Sequence, residues 1–312
     1  MEFNDLIFKE LIKRGYSLEG NTRVWNIADS KLWYLTPEQA QAFLDLEKDE
    51  VYKNDVIYKE INLINANIQK IIDKLGKAPI NIVDLGCGDG KKAVLFVEHL
   101  KGKVKLRYCP IDISDYMVEK ALDKIKKINA GEVVEFQWNI SDFENLENIA
   151  SLLRKGNFKN NLILLLGNTL GNFEINELMY EIRSAMKEGD YLLIGNGLDN
   201  RKPNEILKAY NNSLLDNLLI KTLLQIGFNE HEVQYGVRFR NNRVEMYYTI
   251  KQDKKLTFLG KKVSFNAGDQ IIVAVSYKYE SGDFRSFVQM YFDDVQFYVS
   301  DDDAYGIVLC KK

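Results

Sequence analysis

The stretch Ile80-Asn-Ile-Val-Asp-Leu-Gly-Cys-Gly-Asp-Gly-Lys-Lys92 decides the fold of this chain. Its first six residues form a mostly apolar run, which is typical of a buried strand. The glycines that follow let the backbone turn sharply and approach a ligand that a Cβ atom would repel. Because a helical stretch begins at Lys91, the glycine-rich turn joins a strand to a helix, the context in which such a turn indicates a ligand site. The stretch therefore predicts the first strand and helix of a Rossmann-like domain.

Strand-like and helical stretches alternate from this segment to residue 194. The predicted strands are 80–85, 106–111, 133–138, 162–166 and 191–194, and the predicted helices between them are 91–100, 115–128, 144–153 and 175–186. Such alternation is typical of a parallel sheet with right-handed crossover connections. The fold class is therefore predicted to be α/β.

The chain on either side of these elements follows other patterns. The N-terminal part is predicted to be helical, with Thr36-Pro37-Glu38-Gln39 as a capping box that begins one helix. The strand–helix alternation stops after Gly195, and a hairpin is predicted around Asn241-Asn242. We therefore predict three parts: a helical segment that contributes to the substrate site (1–76), a Rossmann-like domain (77–199 and 276–312) and an inserted α+β lobe (200–275).

Composition argues against several classes of function. A net charge of −3 gives no general attraction to nucleic acid or to an anionic membrane. The longest apolar run, 162–166, is far shorter than the roughly 20 residues that span a bilayer. Three cysteines and an N-terminus without a signal-peptide pattern predict a reducing, cytoplasmic location. No Cys/His cluster has metal-ligand spacing, so an enzyme of this composition needs an organic cofactor.

The glycine turn and two nearby acids indicate which cofactor. Lys91 occupies the place of the third glycine of G-x-G-x-x-G, which argues against a dinucleotide with its pyrophosphate on that helix end. Asp112 ends the second predicted strand, where an acid commonly accepts hydrogen bonds from ribose hydroxyls. Asp84 either orients the turn or receives an ammonium group. S-adenosylmethionine has a ribose and an amino-acid head but no phosphate, so carboxylates around a glycine turn suit it.

Several of these positions leave two interpretations open. The turn could belong to another α/β protein that binds a different nucleotide or none. Lysines at 91 and 92 oppose the dipole of the helix that they begin, so they either hold the carboxylate of the ligand or are solvated charges. The pair Asp142-Phe143 either bonds and covers an adenine, or Asp142 is the N-cap of the next helix.

A second loop follows the fourth predicted strand. It reads Gly167-Asn-Thr-Leu-Gly-Asn-Phe173 and lies at the carboxyl end of that strand, where open α/β sheets bind their ligands. Asn and Gly also suit an ordinary turn. The loop resembles the G-S-T-I-G-N-F signature of the histidine-specific N-methyltransferases of ergothioneine biosynthesis. Further similar segments are Trp33–Thr36, which resembles their Y-Y-x-T, and residues 84–88, 110–114, 142–143, 209–210 and 276–279.

This resemblance spans about residues 30–310 and implies a class I methyltransferase fold with an inserted substrate lobe. It implies that S-adenosylmethionine is contacted by Gly86, Lys92, Asp112, Asp142 and Phe143, to which the two loops add Asp84, Gly88 and Gly167. It also implies that the amine and carboxylate of an amino acid are held by Tyr34, Asn172 and Tyr210, with Tyr34 and Asn172 as the catalytic pair and Ser276 in the side-chain pocket.

One position departs from the family. Two residues before the serine the family carries a glutamate that recognises imidazole, whereas this chain has Ala274. An imidazole N–H loses a charge-assisted partner there, worth roughly 1.5–3 kcal/mol. This makes histidine a possible but doubtful acceptor, with a less polar amino acid or another amine as an equal alternative.

The expected activity is therefore S-adenosylmethionine-dependent N-methylation of a small amino-acid-like substrate, without a nucleic-acid or membrane partner. Two alternatives remain. One is a methyltransferase of RNA or of a protein side chain, although the lysines of residues 119–127 alternate with acids as on a solvated helix face. The other is a protein that binds S-adenosylmethionine without catalysis, which the altered pocket at Ala274 keeps open.

Overall fold

Helices and strands alternate along the part of the chain that the computed structural model describes, residues 3–140, 143–258 and 260–312. The helices are α1 (Phe3–Arg14), α2 (Pro37–Leu46), α3 (Glu50–Tyr52), α4 (Lys59–Leu75), α5 (Lys91–Leu100), α6 (Asp115–Ile128), α7 (Leu146–Leu153), α8 (Ile175–Ala185), α9 (Pro203–Tyr210), α10 (Ser213–Gln225) and α11 (Ser281–Gln289). The strands are β1 (Tyr16–Glu19), β2 (Thr22–Asn26), β3 (Ile80–Leu85), β4 (Leu106–Ile111), β5 (Glu132–Val133), β6 (Asn160–Leu165), β7 (Tyr191–Gly197), β8 (Val233–Arg240), β9 (Arg243–Ile250), β10 (Lys254–Phe258), β11 (Lys261–Phe265), β12 (Gln270–Tyr277), β13 (Asp294–Val299) and β14 (Tyr305–Lys311). Within these ranges, no helix combines the length and the apolar character that crossing a bilayer requires.

The chain forms two compact units. Glu47–Asn200 and Tyr279–Lys312 form one, which we call the parallel-sheet unit, and Met1–Leu46 and Arg201–Lys278 form the other, the mixed-sheet unit. The chain passes from the parallel-sheet unit to the mixed-sheet unit between Asn200 and Arg201, and helix α4 lies in the parallel-sheet unit.

The sheet of the parallel-sheet unit has the strand order β13-β14-β7-β6-β3-β4-β5. Strands β3 to β7 are parallel, and β14 runs antiparallel to β7 at one side. The chain proceeds from β3 outward to β4 and β5, then returns to the other side of β3 with β6. Loops after β3 and β6 therefore leave the sheet at its topological switch point, where α/β sheets bind their ligands.

The core of this unit explains why its central strands were predictable. Every residue of β3 is buried, and side chains from the helices on the sheet are buried against it, among them Phe96 of α5. The predicted limits of the first two strands, and of helices α5 and α6, coincide with the observed ones. Strands covered on both faces read as short apolar runs, and the helices between them keep one apolar face.

The third predicted strand, 133–138, is wrong in its extent, since β5 ends at Val133. The backbone N–H of Phe136 donates to Oδ1 of Asn139 at 2.6 Å, and the N–H of Asn139 donates to the carbonyl of Phe136 at 2.9 Å. This local turn replaces strand pairing, because asparagine side chains compete with the ladder for backbone groups. Ile140 then makes a single parallel bridge to Asp112.

The mixed-sheet unit holds a sheet of order β1-β2-β12-β9-β8 and the separate hairpin β10–β11. The predicted hairpin is confirmed: β8 and β9 join at Asn241 and Asn242, which both have positive φ. The capping box is confirmed as well, with Oγ1 of Thr36 and Oε1 of Gln39 each accepting the backbone N–H of the other residue.

The helical prediction for the N-terminal part is wrong at β1 and β2. These strands pair antiparallel with each other, and β2 also pairs with β12. Gly15 and Gly20, both at positive φ, end helix α1 and make the turn between the strands. Strand β1 has four residues and β2 has five, and few of them are buried. Strands this short do not produce a recognisable alternation of apolar and polar residues in the sequence.

One buried carboxylate joins the start of β6 to the turn that precedes β7. Asp190 is completely buried and accepts the backbone N–H of Asn161 at 2.7 Å and that of Lys187 at 2.8 Å. It also pairs with the guanidinium of Arg154, whose side chain is 9% exposed. A buried arginine without this carboxylate would remain as an uncompensated charge.

We predict that Asp190→Ala lowers the free energy of unfolding by about 3–5 kcal/mol, because Arg154 and two backbone donors lose their partner. Urea denaturation followed by circular dichroism measures the change. The exposed Asp301→Ala removes the same charge from the same unit and should shift stability by less than about 0.5 kcal/mol. A loss below about 1 kcal/mol for Asp190→Ala would contradict this role for the carboxylate.

Candidate active site

The glycine turn after β3 is fastened to the end of β4. Gly86, Gly88 and Gly90 all have φ values between 51° and 76°, a backbone region that other residues rarely adopt. The N–H groups of Gly86 and Cys87 both donate to the carbonyl of Ile111, at 2.8 and 3.1 Å. The turn therefore has a fixed position above the carboxyl ends of two neighbouring strands.

Asp112 stands at the end of β4 with unused acceptor capacity. Its Oδ1 accepts the N–H of Ser114 at 3.0 Å, and its Oδ2 accepts the N–H of Gly88 at 3.1 Å. Burial raises the pKa of Asp112, and the backbone donors of Ser114, Gly88 and Ile113 oppose that rise. A carboxylate offers about four lone-pair positions, so Asp112 can accept hydrogen bonds beyond those of its backbone donors. Two acceptors on one carboxylate fit the two hydroxyls of a ribose.

Asp84 lies at the end of β3 and is 4% exposed. The hydroxyl of Tyr108 donates to its Oδ2 at 2.8 Å. Burial raises the pKa of Asp84 to about 7, against the opposing effects of the Tyr108 hydrogen bond and of the Lys92 charge. At neutral pH this carboxyl is therefore poised between its neutral and anionic forms, and a bound cation would favour the anion.

A buried ion pair holds Lys92, a predicted cofactor residue. Its Nζ lies 2.7 Å from Oε2 of Glu60, a completely buried carboxylate of α4. The other oxygen of Glu60 accepts the N–H of Gly167 at 2.8 Å. Burial lowers the pKa of Lys92, but the charge of Glu60 outweighs it and the pKa lies above its usual value. The ammonium is thus kept charged beside the loop after β6.

Glu60 is a site residue that the sequence analysis missed. It lies on the buried face of α4, together with Ile64, Ile68 and Ile71. A charged residue on the apolar stripe of an amphipathic helix was the available signal, because buried charges are almost always paired. The neighbouring Lys91 points to a different acid, since its Nζ lies 2.6 Å from Glu47.

The loop after β6 abuts the glycine turn. Gly167 and Asn168 have positive φ, and a short 3₁₀ helix, Thr169–Asn172, follows them. A Cβ atom added to Gly86 would lie 3.3 Å from Oγ1 of Thr169 and 3.8 Å from the ring of Phe143. The two loops and Phe143 therefore converge on one place, where any side chain at position 86 would intrude.

Two further predicted residues belong to this region of the unit. Asn172 is half-buried, and its side-chain amide has no hydrogen-bond partner among residues 3–140, 143–258 and 260–312. The ring of Phe143 contacts that of Phe173, with centroids 5.4 Å apart. Asp142, the predicted partner of the adenine amino group, lies outside the described residues.

The remaining predicted residues belong to the mixed-sheet unit. The ring of Tyr34 packs edge-on against Phe43, with centroids 5.3 Å apart. Tyr210, at the end of α9, and Ser276, on β12, bond each other through their hydroxyls at 3.0 Å. Lys278, which had no predicted role, bonds both of these hydroxyls.

Ala274 is completely buried on β12, where it pairs with Met246 of β9. Side chains two residues apart on a strand share a face, so Ala274 lies on the same face as Ser276. The alanine side chain offers no polar group to a ligand. In the described part of the chain, no group of three or more His, Cys, Asp or Glu side chains could hold a metal ion.

Comparison with known proteins identifies the family. The model of a family described as histidine-specific, S-adenosylmethionine-dependent methyltransferases matches residues 47–312. No curated protein matches the chain. Similar solved structures include an S-adenosylmethionine-dependent methyltransferase from Clostridium acetobutylicum ATCC 824, at 15% identity and a TM-score of 0.47, covering 87% of this chain and 98% of that one. A putative methyltransferase from Thermobifida fusca YX has 11% identity and a TM-score of 0.47, covering 92% and 94%.

The family match extends over most of the chain and includes both the glycine turn and the loop after β6. The chain therefore belongs to the histidine-specific, S-adenosylmethionine-dependent methyltransferase family: it is an α/β methyltransferase of class I, and S-adenosylmethionine is its cofactor.

Proposed function

We propose that this methyltransferase transfers a methyl group to the amine of a small amino-acid-like acceptor. The observation that carries the proposal is Asn172, a half-buried amide without a partner in the described part of the chain. It ends the 3₁₀ helix whose first residue, Thr169, lies against the glycine turn. An amide oxygen at this place can accept a hydrogen bond from an amine N–H beside the cofactor.

The parallel-sheet unit supplies the residues that we propose for cofactor binding. Asp112 accepts the ribose hydroxyls, and Asp84 and Lys92 bind the ammonium and carboxylate of the amino-acid head. The ring of Phe143 covers the adenine. Gly86, Gly88 and Gly167 leave room for the ligand, and Asp142 remains a sequence-based prediction. The remaining acceptor capacity of Asp112 and the open space beside Gly88 support this arrangement.

The residues of the chain contribute to the reaction by binding and orientation. S-adenosylmethionine supplies an electrophilic methyl group on a sulfonium. No protein nucleophile is required, so the rate gain comes largely from holding the reacting atoms in line. We propose that Asn172 and Tyr34 accept hydrogen bonds from the acceptor amine and favour its neutral form, since an ammonium has no lone pair. The proton leaves to water or through a tyrosine hydroxyl.

The pocket composition argues against histidine as the acceptor. Ala274 presents a methyl group on β12 where the family resemblance places a glutamate, and it is completely buried. An imidazole N–H beside this methyl group lacks the carboxylate partner, a loss of roughly 1.5–3 kcal/mol of charge-assisted hydrogen bonding. We propose an acceptor that places no N–H group there.

We also propose a cytoplasmic location. The sparse cysteines, all three of them free, agree with a reducing setting of this kind.

We predict that Asn172→Ala abolishes turnover, with a loss of at least about 100-fold, because the amine is no longer aligned with the methyl group. Its affinity for S-adenosylhomocysteine should stay within about threefold of the wild type, since the amide is not needed for the cofactor. Release of S-adenosylhomocysteine measures turnover, and isothermal titration measures affinity. Asn148→Ala, an exposed position of α7 in the same unit, is the matched control. Retained turnover in Asn172→Ala would refute the assignment.

A second prediction follows from the titration of Asp84. Its carboxyl, with a pKa of about 7, is neutral at lower pH and must ionise to receive the cofactor ammonium. The affinity for S-adenosylhomocysteine should therefore rise by about tenfold between about pH 5.5 and 7.5. Asp84→Asn should bind more weakly and show no such rise. Titrations at several pH values provide the test, and a flat profile in the wild type would exclude Asp84 as the ammonium partner.

A further inference from the structure

Two glycines of the parallel-sheet unit leave room for the ion pair between Glu60 and Lys92. A Cβ atom added to Gly195 of β7 would collide with Oε1 of Glu60, and one added to Gly167 would collide with Nζ of Lys92. Gly167 has a φ of 79°, so its backbone conformation already favours glycine, whereas Gly195 is not among the residues with positive φ. The glycine in β7 is therefore explained by the space that the carboxylate of Glu60 occupies.

The two members of the ion pair differ in exposure. The side chain of Glu60 is completely buried, and that of Lys92 is 15% exposed. An ammonium has three N–H donors, and a single ion pair does not use all of them. A ligand at the loop after β6 therefore meets the ammonium of Lys92, while the carboxylate of Glu60 lies behind it.

We propose that Glu60 is a positioning residue for the cofactor: it holds the ammonium of Lys92 beside the loop after β6, where the carboxylate of the amino-acid head binds. The inference rests on the cofactor arrangement of the proposed function, and it gives Glu60 no contact with the cofactor. A lysine ammonium sits on a flexible four-carbon stem, so it needs a fixed partner to keep one position. Glu60 supplies that partner and is itself fixed by the N–H of Gly167, at 2.8 Å.

The charge of Glu60 has a second effect on Lys92. Burial lowers the pKa of Lys92, and the charges of Glu60, Glu47 and Asp84 raise it. On the other side of the carboxylate, burial and the charge of Glu60 raise the pKa of Tyr305, so this hydroxyl stays neutral. Without the charge of Glu60, Lys92 should lose its proton at a lower pH. Because only the ammonium attracts a carboxylate, recognition of the amino-acid head should then weaken as the pH rises.

Two ligands isolate the contribution of the carboxylate. S-adenosylhomocysteine carries it, and decarboxylated S-adenosylhomocysteine keeps the amine and lacks the carboxylate. The wild type should bind the first at least about tenfold more tightly at pH 7, measured by isothermal titration. Each variant is compared with the wild type at the same pH and with the same ligand, which cancels the titration of the ligand amine. Equal affinities of the wild type for the two ligands would overturn the inference.

We predict that Glu60→Gln makes carboxylate recognition sensitive to pH. Its affinity for S-adenosylhomocysteine, relative to the wild type, should fall at least about fivefold between about pH 7 and 9.5, because Lys92 loses its proton. The relative affinity for the decarboxylated ligand should stay within about twofold. The glutamine keeps an oxygen for the N–H of Gly167, so the change removes charge rather than packing. A ratio that does not vary with pH, or equal losses for both ligands, would refute the positioning role.

Glu60→Asp tests position without removing the charge, and it keeps the test decisive if Glu60→Gln does not fold. The shorter side chain should draw the ammonium back and weaken S-adenosylhomocysteine by at least about threefold at every pH, with no change for the decarboxylated ligand. Glu98→Gln removes an exposed acid from α5, the helix that carries Lys92, and should change neither ligand. Wild-type affinity in Glu60→Asp would contradict the inference.

Lys92→Met distinguishes this inference from the cofactor arrangement on which it rests. The variant should lose at least about tenfold in affinity for S-adenosylhomocysteine, and adding Glu60→Gln to it should change that affinity by less than about twofold, since Glu60 acts through Lys92. Wild-type affinity in Lys92→Met would refute the arrangement itself. A loss in Lys92→Met without any effect of the Glu60 variants would keep the arrangement and refute the inference.

Discussion

The hydrogen bonds between the glycine turn and the end of β4 are the interaction on which the site depends. Gly88 donates to the carboxylate of Asp112, and the two residues before it donate to the carbonyl of Ile111. A turn built from left-handed glycines has no intrinsic preference for one shape, so these bonds supply it. They also hold the carboxylate of Asp112 in place at the end of β4.

A second constraint is the single carboxylate of Glu60. It joins α4 to Lys92 at the start of α5 and to the backbone of Gly167 after β6. A Cβ atom added to Gly195 of β7 would collide with its Oε1, so that glycine provides the space in which the carboxylate is buried. Because a buried charge is stable only with its partners in place, the positions of these elements are coupled.

The sequence predicts well what depends on local periodicity. Strands β3 and β4 and helices α5 and α6 have the expected limits, because the strands are short buried apolar runs and the helices each keep one apolar face. The glycine turn and Asp112 were recognisable from their position after strands. The short hairpin β1–β2 was not recognisable. The third strand ends early because the side chain of Asn139 bonds the backbone N–H of Phe136.

Long-range pairings were the least predictable part of the site. Lys92 was expected at the cofactor from its place in the first turn of α5, but its ion pair with Glu60 joins residues that are distant in sequence. Lys278 likewise bonds Tyr210, a residue at the end of a helix that is far from it in sequence. A family resemblance indicates which positions correspond. The partners of a charged side chain become visible only when its neighbours in the fold are known.

The most direct test of the central claim is a crystal structure of the protein with S-adenosylhomocysteine. We predict that both ribose hydroxyls lie within about 2.5–3.2 Å of the Asp112 carboxylate, above the glycine turn. A ligand bound elsewhere, or a phosphate compound occupying the turn in its place, would contradict the assignment of this site.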